Sequence, residues 1–161
     1  MNKIKKAFAL IELVAILVII SVLSIIAVPI FFSTSTYQAL TYHDELLNSI
    51  RYARKLAVAT GGHFEVSLTS TSLTLQQRIE GSSCSNGTTF QAVVDPSNNS
   101  SGYVKNAPGS ITLSSSSQWP IYFDGLGRAN QASTCSTLSS NATITIGSKT
   151  ITVVGETGFA Q

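Results

Sequence analysis

One carboxylate at the edge of a long apolar run has the clearest chemical consequence in this sequence. Glu12 directly precedes residues 13–32, which contain no charged side chain. Placing an ionised carboxylate in apolar surroundings costs several kcal/mol unless a cation pairs with it. We therefore expect Glu12 to be a functional residue with a cationic partner. The alternative is that Glu12 is protonated or reaches out to water.

Two cysteines could form a covalent link between distant loops. Cys84 and Cys135 lie about fifty residues apart, each within a stretch rich in Ser, Thr and Asn. In an exported domain, two such cysteines are typical of one disulfide. The alternatives are two unpaired thiols or two metal ligands. A chain with two histidines and no Cys-x-x-Cys motif offers a poor metal site, however.

The other candidates for chemistry have simpler structural interpretations. His43 falls on an apolar helix stripe, which favours a buried structural histidine, and His63 starts a strand without an evident partner. The segment 124–128 contains Gly-Leu-Gly, but a single Gly-x-Gly that leads into no helix indicates a turn rather than a phosphate site. No nucleophile, metal or nucleotide motif is present, so we expect no enzymatic activity, no cofactor and no metal.

The charge balance argues against nucleic acid as a partner. The chain has 161 residues and a formal charge of +2, but three of its ten basic residues, Lys3, Lys5 and Lys6, precede the apolar run. Removing them leaves seven basic residues against eight acidic ones. Non-specific DNA binding needs several phosphate contacts. The region after residue 60 offers only four scattered cations: Arg78, Lys105, Arg128 and Lys149.

The apolar run predicts the first part of a long helix. Twenty residues at about 1.5 Å each give roughly 30 Å, the thickness of a bilayer core, and lysines before such a run stay on the cytoplasmic side. Pro29 is expected to kink the helix, because proline removes a hydrogen bond and clashes with the preceding turn. Glycine is absent until Gly61, so we expect the helix to continue to residue 60.

The second part of this helix is predicted to be amphipathic. Between residues 33 and 60, apolar side chains recur every three to four positions, and charged side chains lie between them. Asp44 and Glu45 belong to the solvated face. Gly61 and Gly62 then favour a left-handed helix end.

After Gly62 the hydrophobic period becomes that of β-strands. Two hairpins are predicted, 63–69 with 73–79 and 142–146 with 150–154, the second around a turn that contains Gly147. Further strands are expected at 89–94, 110–113 and 119–124, with Pro120 at the start or edge of the last. The predicted fold is therefore α+β. One long kinked N-terminal helix packs its outer half on an antiparallel β-sheet domain, residues 61–161.

The N-terminal residues resemble a known processing and assembly signal. The stretch Lys-Lys-Ala-Phe8-Ala-Leu-Ile-Glu12, followed by an apolar helix that contains Pro29, is similar to the start of type IV pilins and type II secretion pseudopilins. The resemblance implies that prepilin peptidase cuts between Ala7 and Phe8 and that Phe8 is then N-methylated. Ala7 departs from the family pattern, which usually has glycine there.

This resemblance divides the N-terminal part into three segments. Residues 1–7 would be a cleaved leader, 8–32 the transmembrane and assembly half of the helix, and 33–60 its amphipathic half. Glu12 follows Phe8 by one helical turn. We therefore expect the Phe8 ammonium of one subunit to meet Glu12 of its neighbour and to set the axial offset between subunits.

The C-terminal part narrows the resemblance. The segment from Ile121 to Arg128 and a hairpin that ends near Gly158 are similar to minor pilins and pseudopilins of the GspH/FimT type, including those of mannose-sensitive haemagglutinin pili. The implied function is a minor type IV pilin, inserted in the bacterial inner membrane with a periplasmic C-terminal domain before it enters or primes a pilus. The implied partners are other pilins, prepilin peptidase and the inner-membrane assembly platform.

Two alternatives share these features. A type II secretion pseudopilin at the tip of a pseudopilus would have the same implied fold and processing. A DNA-binding minor pilin is permitted by the GspH/FimT resemblance, but the four scattered cations after residue 60 argue against it.

Overall fold

The computed structural model describes residues 3–32, 34–79, 89–109 and 111–161. Within the helices, side chains are described for residues 10–24 and 35–60. The chain forms two compact units, Met1–Tyr37 and Gln38–Gln161. The first consists mainly of helix α1, Lys3–Phe32, and helix α2 is Thr34–Thr60. All strands belong to the second unit.

The helical part contradicts the prediction of one long kinked helix. Two helices are present, since α1 ends at Phe32 and α2 begins at Thr34. The first three residues of α2, Thr34, Ser35 and Thr36, all carry hydroxyl groups. Their side chains compete for backbone hydrogen bonds and favour a helix start over a helix interior. The mixed α+β class is confirmed, but the expectation of a pilin fold with a long N-terminal helix is wrong.

The predicted membrane span is also contradicted. In the part of the chain that the structure describes, no helix combines the length and the apolar character needed to cross a bilayer. The predicted transmembrane helix and the predicted single-pass inner-membrane location are therefore wrong.

Nine strands follow α2 in the described residues. Gly61, with a φ of 68°, ends the helix as its sequence predicts. The strands are β1 (His63–Leu68), β2 (Ser72–Arg78), β3 (Phe90–Ala92), β4 (Tyr103–Asn106), β5 (Leu113–Ser115), β6 (Ile121–Phe123), β7 (Ala129–Gln131), β8 (Ala142–Ile146) and β9 (Lys149–Val153).

These strands form two antiparallel sheets. The larger has the order β3-β2-β1-β6-β7, with β4 also paired to β2, and the smaller has the order β5-β8-β9. Both predicted hairpins are confirmed, β1 with β2 and β8 with β9. The turn between β8 and β9 uses Gly147 at a φ of 59°. Strands β4 and β7 were not predicted.

The core of the second unit lies between α2 and the sheets. The helix contributes a stripe at three- to four-residue spacing, and alternate residues of the strands face it. The stripe is Tyr42, Leu46, Ile50, Ala53 and Ala57. The largest buried strand residues include Phe123, Leu73, Leu75, Ile121, Ile144, Ile146 and Ile151. One continuous cluster thus holds the apolar stripe of α2 in place, and this fixes the direction in which the exposed side of the helix points.

Candidate assembly surfaces

The first candidate surface is the apolar surface of α1. The large side chains from Leu10 to Leu23 are between 47 and 66% exposed. Soluble proteins rarely leave so many contiguous apolar side chains uncovered. Glu12, at the start of this surface, is exposed too, and no ion pair to it is present among the described residues. The α1 surface therefore combines unburied apolar area with one carboxylate that no described cation neutralises.

The other N-terminal residues predicted to be functional can be placed only by their backbone. Ala7, Phe8 and Pro29 lie within the bounds of α1. Their side chains are outside the described part of the chain. Cleavage at Ala7–Phe8, methylation of Phe8 and the kink at Pro29 stay predictions.

The second candidate surface is the exposed side of α2. It consists of Asp44, Asn48, Arg51 and Lys55, which we call the α2 stripe, and all four residues are exposed. Their spacing of i, i+4, i+7 and i+11 puts them on one helix face, since each residue turns the helix by about 100°. Asp44 lies at one end of the stripe, and both cations lie towards the C-terminal end of the helix.

A groove borders the basic end of this stripe. Its volume is about 160 Å³, and its lining residues are Arg51, Arg54, Lys55, Gly158, Phe159 and Ala160. The Arg51 guanidinium donates from Nε and Nη2 to the Ala160 carbonyl at 3.1 and 3.0 Å. Arg54 Nε donates to the Gly127 carbonyl at 3.2 Å. These contacts orient the guanidinium groups but do not neutralise their charge.

The turn after β6 holds the Gly127 carbonyl in place for Arg54. Asp124 Oδ1 accepts from the backbone N–H groups of Leu126 and Arg128 at 3.0 and 2.9 Å. Its Oδ2 accepts from Arg128 Nε and Nη2, both at 2.9 Å. Burial raises the pKa of Asp124, but these hydrogen bonds and the Arg128 charge outweigh it, so the pKa lies below its usual value. The segment is a structural turn, with Gly127 at a φ of 78° as predicted for a turn glycine.

A buried ion pair ties the loop after β3 to β4 and α2. Lys105 Nζ lies 2.8 Å from Asp95 Oδ2 and 3.4 Å from Glu45 Oε1. Ser97 donates to Asp95 Oδ1 from its backbone N–H and from Oγ, at 2.9 and 2.6 Å. Burial raises the pKa of Asp95, but the hydrogen bonds from Lys105 and Ser97 and the Lys105 charge outweigh it and lower the pKa to about 2.

A second buried pair lies within the larger sheet. Arg78 Nε is 3.5 Å from Glu65 Oε2, and both side chains are nearly inaccessible. The Arg78 guanidinium also lies over the Tyr122 ring, 4.5 Å from its centre. Burial raises the pKa of Glu65, and the Arg78 charge only partly opposes this effect. Ionising the Glu65 carboxyl is therefore costly at this position. The contacts among Glu65, Arg78 and Tyr122 link strands β1, β2 and β6.

Three of the four cations after residue 60 are already engaged. Arg78 is buried, Lys105 pairs with Asp95, and Arg128 pairs with Asp124. Lys149 is exposed. A phosphate backbone would therefore meet few available cations on the strands.

The cysteines are only partly placed. Cys135 is disulfide-bonded, and it lies in the loop after β7. Its predicted partner, Cys84, lies outside the described residues. In the regions that the structure describes, no group of three or more His, Cys, Asp or Glu side chains is arranged to hold a metal ion.

The groove beside Arg51 is the feature that sequence reasoning missed. Arg51 and Ala160 are separated by 109 positions in the chain, so no local pattern brings them together. The available signal was limited to the helix: three cations within five positions, none of them on the apolar stripe.

Comparison with known proteins adds no family assignment. No family model, no curated protein and no solved structure matches this chain.

Proposed function

We propose that this protein is an assembly subunit of a type IV pilus-type fibre, of the minor class suggested by its C-terminal resemblance. In this proposal prepilin peptidase removes residues 1–7, and α1 then joins the subunit to its neighbours. The single observation that carries the proposal is the uncovered apolar surface of α1, from Leu10 to Leu23.

An uncovered surface of this kind favours association. Burying apolar area releases about 25 cal/mol for each Å², so a helix with large side chains exposed on every side gains stability when other chains cover it. The α1 segments of other subunits supply a chemically matched cover. The second unit, with its continuous core, would remain folded outside this contact.

Glu12 makes such an association specific. Once α1 surfaces meet, its carboxylate loses water and needs a cation. Cleavage would create an ammonium group at Phe8, one helical turn before Glu12. A neighbouring copy shifted along the helix axis by about this turn would place its Phe8 ammonium next to Glu12. Pairing these two groups would fix the register, which apolar side chains alone specify weakly.

The test of processing is mass spectrometry of the mature N-terminus. We expect a chain that begins with N-methylated Phe8. A mature chain that still carries Met1 to Ala7 would rule out the proposal.

The test of assembly is incorporation of variants into fibres. Glu12→Leu should be cleaved normally yet fail to enter the fibre, and Glu12→Gln should be similarly defective because it lacks the charge. Glu156→Gln removes an exposed carboxylate from the second unit and serves as the matched control. Normal incorporation of Glu12→Leu would contradict the assigned role of Glu12.

A further inference from the structure

We propose that the α2 stripe binds the α2 stripe of a second copy of this chain, parallel and shifted along the helix axis. In this arrangement the Asp44 carboxylate of one copy lies between Arg51 and Lys55 of the next. The inference deepens the proposed function and rests on it for the parallel direction of the helices.

The first argument is the availability of the charges. The Asp44 side chain is 75% exposed, and among the described residues its only partner is His43 of the same chain, at 3.0 Å. Arg51 and Lys55 are also exposed. Among the described residues, neither cation forms an ion pair with a carboxylate. The folded chain therefore presents Asp44, Arg51 and Lys55 on one helix face, and none of them is neutralised by another member of the stripe.

The second argument is their order along the helix. Asp44 precedes Arg51 by seven residues and Lys55 by eleven. At about 1.5 Å per residue, a shift of roughly 10–17 Å brings the acid of one copy opposite the bases of another. The contact can repeat, because each copy presents its acid at one end and its bases at the other.

The third argument identifies the partner as a second copy. A polyanion such as DNA would match Arg51 and Lys55 but would be repelled by Asp44 and by the neighbouring Glu45, whose side chain is 43% exposed. A surface with the same order of charges is complementary along the whole stripe. This chain carries such a surface itself.

The parallel direction follows from propagation. An antiparallel pair would also place Asp44 opposite Lys55, but it would satisfy both stripes at once and close as a dimer. A parallel shifted contact is heterologous, so it leaves one free end on each copy and continues along a fibre. This geometry agrees with α1-mediated assembly.

The experiment is zero-length carbodiimide cross-linking of the full chain in a mild non-ionic detergent that covers α1. The reaction joins a carboxylate to an amine in direct contact. Within one helix Asp44 and Lys55 are about 16 Å apart, so any amide between them joins two copies. Glu45 and Lys105, 3.4 Å apart within one chain, provide the internal positive control, because the Glu45 carboxylate is 43% exposed and the reagent can reach it.

We expect an Asp44–Lys55 cross-linked peptide and a ladder of dimers, trimers and higher species on a denaturing gel. Lys55→Arg is the matched control, because it keeps the charge but removes the reactive amine. It should abolish this cross-link and leave the sedimentation of the complexes unchanged. Asp44→Lys and Lys55→Asp should each weaken association at least about fivefold, and the double variant should restore it to within about twofold.

Three results would overturn the inference. The first is an Asp44–Lys55 link confined to a closed dimer, which assigns the stripe to an antiparallel pair. The second is the absence of this link while the Glu45–Lys105 link forms normally. The third is binding of a short DNA duplex that Lys55→Asp removes, again without the link. The proposed function is tested separately, by processing at Phe8, so none of these three results would by itself contradict it.

Discussion

The helices α1 and α2 have similar lengths but keep their apolar side chains in opposite environments. In α1, Leu17 is 58% exposed, whereas Leu46 of α2 is completely buried. The difference follows from pattern: α2 has one apolar stripe that a sheet can cover, and α1 has apolar side chains on every side. The apolar stripe of α2 is therefore covered within its own chain, whereas the large apolar side chains of α1 from Leu10 to Leu23 are not.

The largest expected effect tests this contrast with the same substitution in both helices. Leu46→Ala removes a fully buried side chain and leaves a cavity, so we expect a loss of about 3–5 kcal/mol in the free energy of unfolding. Leu17→Ala should change it by less than about 0.5 kcal/mol. The measurement is urea unfolding followed by fluorescence of Trp119, the only tryptophan, which packs against the core of the second unit.

Equal effects of the two leucine variants would break the comparison. They would mean that α1 is also covered within the chain. If α1 serves assembly, Leu17→Ala should act instead on incorporation into the fibre.

The next largest expected change in stability comes from Gly158, where the backbone of the second unit is closely packed. A Cβ on Gly158 would overlap the Gly127 carbonyl oxygen, and the residue has a φ of 61°. We expect Gly158→Ala to cost about 2–4 kcal/mol through strain and displacement of the turn that Arg54 contacts. Gly147→Ala has nearly the same φ, 59°, but its nearest neighbour would be 3.7 Å away.

Gly147→Ala is therefore the control for backbone strain alone, at about 1–2 kcal/mol. Urea unfolding of the two variants separates the two contributions. A Gly158→Ala protein as stable as Gly147→Ala would show that the turns around residues 127 and 158 are not in close contact.

The parts of this fold that the sequence predicted are those with local causes. The β1–β2 and β8–β9 hairpins join neighbouring strands, and Gly61 ends α2, so each follows from a short pattern of residues. Strands β4 and β7 are four and three residues long and were missed, since so short a stretch shows little alternation. The pairing of β4 with β2 depends on packing between distant parts of the chain.

The errors in the helical region have a related cause. Hydrophobicity and the absence of glycine predicted one continuous helix, but neither signal takes account of the hydroxyl residues Thr34, Ser35 and Thr36, with which α2 begins. The charges of α2 were correctly placed on its solvated side. Their relation to the C-terminal residues, through the bond from Arg51 to the Ala160 carbonyl, has no local signature.

A smaller effect compares a buried carboxylate with an exposed one. Asp95→Asn removes the charge that pairs with Lys105, and we expect it to cost about 1.5–3 kcal/mol at neutral pH. Glu12→Gln should leave unfolding of the second unit unchanged, because Glu12 is exposed on α1. The same fluorescence measurement applies to both variants.

The pH dependence sharpens this prediction. Because the folded pKa of Asp95 is lowered to about 2 from 3.8, its ionised form stabilises the fold at pH values above about 4. That stability is lost as the pH falls from about 4 to about 2. The difference in stability between the native protein and Asp95→Asn should shrink over this interval, and a constant difference would argue against the ion pair.

The smallest effect concerns Glu65, whose contribution to stability changes with pH in the opposite direction to that of Asp95. Burial raises the pKa of Glu65 above 4.5, despite the opposing charge of Arg78, so the folded protein binds a proton more readily than the unfolded chain. Stability from this residue therefore increases as the pH falls towards 4.5, and it is lost as the pH rises through the folded pKa. Glu65→Gln removes the titration while keeping the shape of the side chain.

At pH 7 we expect Glu65→Gln to change the free energy of unfolding by less than about 1 kcal/mol, because the charge it removes is poorly solvated and only partly compensated. As the pH is lowered from 7 towards 4.5, the native protein should gain stability relative to the variant, the reverse of the trend for Asp95→Asn. Urea unfolding at matched pH values measures both slopes. Parallel slopes for the two variants would mean that the sheet does not desolvate Glu65, and that burial in the second unit is less complete than the contrast with α1 requires.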